Sequence, residues 1–105
     1  MTENRDGRID FAEINRTALA DLPNALRHWL PNARTVGEEL VALNPTRSDR
    51  RPGSFKINIS NGRWADFATG DRGGDVVSLI ACLDGTGQVE AARRLAEALG
   101  IRAEL

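Results

Sequence analysis

Asn61-Gly62, set between two runs of alternating polarity, constrains this chain more than any other pair of its residues. Both positions of a two-residue type I′ turn need positive φ, and Asn-Gly is the favoured pair there. Upstream, Phe55, Ile57 and Ile59 alternate with Ser54, Lys56 and Asn58, the period of a half-buried strand. Arg63 to Phe67 then returns along it. With a two-residue turn, Ser60 faces Arg63, Ile59 faces Trp64 and Asn58 faces Ala65. One face carries Ile57, Ile59 and Trp64; the other carries Lys56, Asn58 and Arg63, and is polar and cationic.

The flanking segments read as helices. Asp10 can cap a helix from Phe11 to Ala20, with Glu13 completing a box-like pattern and Phe11, Ile14, Ala18 and Leu22 on its apolar side. Asp21 can cap a short second helix bearing Leu26, Trp29 and Leu30, which Pro31 stops. Arg34 to Gly37 reads as a connection. Glu39 to Leu43 reads as a strand or a helix end, and Thr46 to Gly53 as a loop. Gly70, Gly73 and Gly74 mark a second irregular segment. Asp75 is an N-cap for a helix through Leu83, closed by Gly85. A last helix runs from Gln88 to Leu99, with Val89, Ala92, Leu95, Ala96 and Leu99 inward and Gly100 closing it. The expected fold is α+β: a small antiparallel sheet, a zinc-ribbon-like hairpin without zinc, flanked by N-terminal and C-terminal helices.

At 105 residues the chain fits one domain, able to bury roughly 60–70% of its unfolded surface. Residues 1–8 read as a frayed tail, 9–33 as a helical segment and 38–101 as the core. No apolar run approaches a membrane span, and MTENRDGRID lacks the apolar centre of a signal peptide, so a cytoplasmic location is expected. Cys82 and His28 are the only cysteine and histidine, so neither a disulfide nor an ordinary Cys/His zinc site can be assembled. His28 reads as an exposed helix residue and Cys82 as packing on an apolar helix. Asp66, Asp71 and Asp75 are the one carboxylate group to weigh for an enzyme, and their spacing fits no metal loop. Gly73-Gly74-Asp75 at a helix start would offer N–H groups to a phosphate, but Asp75 competes for them.

Net charge is -1, which argues against nucleic acid for the chain as a whole. The charges are uneven. Between Asn44 and Arg63, Arg47, Arg50, Arg51, Lys56 and Arg63 stand against Asp49 alone, a local excess of four. Solvated surface is the plain reading of such a run; a phosphate-binding edge is the functional one.

The segment GRWADFATGDRGGDVVSLIACLDG followed by EAARRLAEALGI resembles the second half of the zinc-binding, template-binding domain at the N-terminus of bacterial and phage DNA primases. Asn44-Pro45-Thr46-Arg47, Pro52 and Ser54-Phe55 look like the family's Cys-Pro-x-His and Pro-Ser-Phe elements. The likeness covers Leu40 to Ile101. The family's four zinc ligands fall on Asn44, Arg47, Phe67 and Gly70, none of which holds zinc in the usual way, so the form is degenerate and no cofactor is expected. Phe67 would place a buried ring where metal stood. Ala65 stands where the family often has an aromatic. The resemblance implies a non-catalytic, single-stranded DNA-binding accessory module of a phage- or plasmid-type primase or primase-helicase. Lys56, Asn58 and Arg63 would touch the strand, Arg47, Arg50 and Arg51 would hold phosphates, and Arg72 would lie nearby. The partners would be single-stranded DNA and a catalytic primase or helicase domain. The alternative is a protein-interaction module of the same descent that lost DNA binding.

Overall fold

A computed structural model describes residues 8–42 and 55–105. The fold is α+β, and the described residues form a five-stranded antiparallel sheet and four helices. Helices α1 (Phe11–Ala20) and α2 (Leu22–Ala25) precede strands β1 (Arg34–Val36), β2 (Glu39–Ala42), β3 (Phe55–Asn58), β4 (Trp64–Asp66) and β5 (Arg72–Gly73). Helices α3 (Val76–Asp84) and α4 (Gln88–Leu99) follow. The strand order β1-β2-β3-β4-β5 is a meander, each strand pairing with its neighbour in sequence.

Alternation decides which sheet face is covered. Leu40, Ala42, Phe55, Ile57 and Trp64 point inward and join Ile14, Leu22, Leu26, Val76, Leu79, Ile80 and Leu95 of the helical segments in one core. Phe55 and Trp64 meet edge to face, ring centroids 6.0 Å apart.

The central hairpin reverses near the expected place, but not by a two-residue turn. Ile57 faces Trp64 and Lys56 faces Ala65, two residues from the anticipated register. The cause is Asn58, whose Oδ1 accepts from Ser60 N (2.8 Å) and Asn61 N (3.1 Å) and widens the loop to residues 59–62. Gly62 N donates to Asn58 O, and Asn61 Oδ1 takes Arg63 N. Gly62 has φ +79° and packs against Val76, so a side chain there meets both strain and a neighbour. A shift of two residues keeps every side chain on its face, whereas a shift of one would have inverted the hairpin. The inward and outward sets therefore match expectation.

Two further strands lie where irregular chain was expected. Arg34-Thr35-Val36 pairs with β2, Val36 opposite Glu39, across a two-residue turn at Gly37 and Glu38. Two β-branched residues beside a turn glycine suit an edge strand, though all three strand residues are exposed. Arg72-Gly73 pairs with Trp64 and Ala65. Here close approach explains the glycine: a Cβ at Gly73 would overlap Trp64 Nε1 and Ser78 Oγ, which themselves hydrogen-bond at 2.9 Å.

Helix boundaries follow their caps. Asp10 Oδ1 accepts from Glu13 N at 3.1 Å, and Asp75 Oδ1 from Ser78 N at 2.8 Å in a reciprocal box. Gly85 and Gly100 end α3 and α4. Asp21 makes no side-chain cap, and α2 lasts only to Ala25, although Leu26 and Leu30 are buried beyond it. Val89 is 49% exposed, because it falls at the margin of the stripe formed by Ala91, Ala92, Leu95 and Ala96. Arg8, expected in a frayed tail, accepts from Leu105 N at 3.0 Å, and Ile9 bridges Glu104.

Candidate nucleic-acid interface

The face of the sheet turned away from the core is built by the same alternation. Strand pairing places Arg34, Val41, Lys56, Ala65 and Arg72 in one row across all five strands. Four strand spacings of about 4.8 Å make that row about 19 Å long. Val36, Glu39, Asn58 and Arg63 occupy flanking positions on the same face. Arg34, Arg63 and Arg72 are exposed. Among the described residues on these alternate positions, four cations stand against one carboxylate, Glu39.

Lys56 occupies the centre. Its Nζ lies 3.7 Å from Glu39 Oε1 and 5.9 Å from the centroid of the Phe67 ring. The ion pair is largely solvated, with side chains 36% and 43% exposed, so it restrains Lys56 only weakly. Asn58 belongs to this face by register, but its side-chain oxygen is committed to the turn. Lys56, Arg63 and Arg72 are thus brought together as expected, while Asn58 shapes the loop. Arg47, Arg50 and Arg51 lie outside the described residues, as does Asn44.

Phe67 overturns one expectation. It is 71% exposed, not buried at a vacated metal position. Trp64 and Asp66 point inward, so Ala65 and Phe67 must point outward. The interior place is taken by Asp66, fully buried, whose Oδ1 accepts from Ala68 N at 2.9 Å and whose carbonyl accepts from Gly70 N at 2.8 Å. The alternation Trp64 in, Ala65 out, Asp66 in carries this signal in the sequence. Phe67 and Val36, the two most exposed large apolar side chains described, both lie on the outer face. Arg34 enters this face through β1, whose three residues carry too little periodicity to be told from a connection without the register.

The N-terminus of α3 is closed to anions. Val77 N donates to Asn15 Oδ1 at 3.0 Å, Ser78 N to Asp75 Oδ1, and Asp75 N to Ser78 Oγ at 3.4 Å. Asp71 takes the Thr69 hydroxyl at 3.2 Å and serves its turn. Among the described residues, no three His, Cys, Asp or Glu side chains are grouped to hold a metal. Cys82 is half-buried, and burial pushes its thiol upward, with Asp71 and Asp66 adding to the effect. His28 is exposed, edge-on to Trp29 at 5.2 Å.

A concavity of about 770 Å³ is built by helical segments rather than by the sheet. His28, Trp29, Leu83, Asp84, Arg94, Glu97 and Ala98 line it. Trp29 Nε1 donates to both oxygens of Asp84 at 3.1 Å, and Arg94 bridges Asp84 (3.1 Å) to Glu90 (3.0 Å). Those bonds hold Asp84 and Arg94 to each other. No described helix is long and apolar enough to cross a membrane.

No family model matches the chain, and no curated protein matches it at a significant level.

Proposed function

We propose that this protein is a single-stranded DNA-binding accessory module of a phage- or plasmid-type DNA primase or primase-helicase, acting in template recognition for primer initiation. The observation that carries the reading is the outer sheet face, where Arg34, Lys56 and Arg72 share one cross-strand row. Phosphate contacts from such a row supply affinity with little sequence preference. The resemblance of Leu40 to Ile101 to primase template-binding domains suggests the biological setting. Chemistry would belong to a partnering catalytic domain.

The helical concavity at Trp29 and Asp84 favours a second reading, a protein-interaction module. One titration separates the two. Isotope-labelled protein at low salt should show shifts at Arg34, Lys56, Ala65 and Arg72 on adding a short single strand. The logarithm of affinity should fall against that of salt concentration, by about 0.7 in slope per phosphate neutralised. Absence of shifts at low salt would remove the DNA reading and leave the interaction module.

A further inference from the structure

The exposure of Phe67 needs a physical reason. An aromatic ring 71% open to water on a fold with a well-filled core is not a packing residue. A cation stands beside it, Lys56 Nζ at 5.9 Å from the ring centroid, and Arg72 shares the Lys56 row two strands away. An apolar protein surface would gain little from covering a ring with a cation beside it, since Lys56 would have to be desolvated. A nucleotide matches both features, because its base has an apolar π-face and its phosphate is anionic.

We propose that Phe67 is a base-stacking platform, receiving one unpaired base on its ring while Lys56 and Arg72 hold the phosphates on either side. The proposal rests on the single-strand reading and gives that surface a defined subsite. It also gives the strand a direction. Stacking at Phe67, beside β4 and one strand from the β5 end of the row, with Arg34 at the far edge, carries the backbone across the strands rather than along the hairpin. Four-stranded RNA-binding sheets stack two or three bases in this manner, and a row of about 19 Å offers comparable room.

Stacking and phosphate contacts respond differently to salt, and this makes the subsite testable. The ring neutralises no phosphate, so Phe67→Ala should weaken binding of a short single strand at least about fivefold while leaving the salt slope unchanged. Lys56→Ala should instead reduce the slope by about 0.7. Phe67→Trp should restore affinity, and Phe67→Leu, which keeps apolar bulk without a π-face, should not. A strand containing 2-aminopurine should lose fluorescence on binding the native protein and not on binding Phe67→Ala. Wild-type affinity in Phe67→Ala, with normal binding by the native chain, would overturn the stacking subsite and leave the DNA reading standing. No binding by the native chain at low salt would overturn both.

Discussion

Asn15 of α1 and Asp75 at the head of α3 are hydrogen-bonded to one another, Nδ2 to Oδ2 at 3.3 Å. Asn15 Oδ1 at the same time takes the Val77 N–H at 3.0 Å. One side chain therefore caps a helix 62 residues away and steadies that helix's own cap. The N-terminal segment is part of the structure that holds α3, not an appendage to it.

Asn15→Ala should lower stability by about 1–2 kcal/mol, the cost of one cap bond and of Asp75 losing its partner. Urea denaturation checks this. A variant as stable as the native chain would mean that water replaces Asn15 without penalty.

The two glycines before Asp75 should behave oppositely. Gly73→Ala drives a Cβ into Trp64 and Ser78 and should cost about 1–3 kcal/mol. Gly74 has open space around the corresponding position, so Gly74→Ala should lie within about 0.5 kcal/mol of native. Paired thermal melts would settle the matter, and equal losses at both sites would contradict the close-approach account.

These glycines show how far the sequence could be read. The caps and ends marked by Asp10, Asp75, Gly85 and Gly100, and the inward residues of the hairpin, are local matters, set by side chains a few positions apart, and were legible; the Asp21 cap and the end of α2 were not. Loop width was not, because Asn58 could cap a wider turn as readily as Asn61-Gly62 could make a tight one. Strands β1 and β5 were hidden for another reason. Three and two residues carry too little periodicity, and pairing with β2 and β4 creates them. At the candidate site, Lys56, Arg63 and Arg72 were visible as charge, whereas Arg34 required the register and Phe67 required trusting the alternation over a motif.

Asn58 should matter to the hairpin and little to ligand charge. Asn58→Ala removes the acceptor for two turn N–H groups and should cost about 1 kcal/mol while leaving any salt slope unchanged. Measuring denaturation and single-strand titration on the same sample tests both halves. A reduced slope at native stability would return Asn58 to the phosphate contacts.

Cys82 should be a slow nucleophile. Its thiol is held above the usual value of about 8.5 chiefly by burial, then by Asp71 and Asp66, so the thiolate is scarce at neutral pH. Alkylation near pH 7.5 should be much slower in the folded protein than in urea. The linkage has a definite sign. The folded thiol keeps its proton to higher pH than the unfolded one, so stability should fall as pH rises through and above the unfolded value. Cys82→Ala should flatten that fall; an unchanged slope would assign it to other groups.

The meander order has a consequence for how the chain reaches this structure. Every strand pairs with its neighbour in sequence, so each pairing joins segments close along the chain and closes at small entropic cost. The seat of α1 is different, since it is made by α3 and by α4, both beyond residue 75. During synthesis α1 emerges before α3 and α4, and its Ile14 and Ala18 face stays uncovered until they follow. That interval, rather than any weakness of the finished fold, is when this small protein is most open to misassociation.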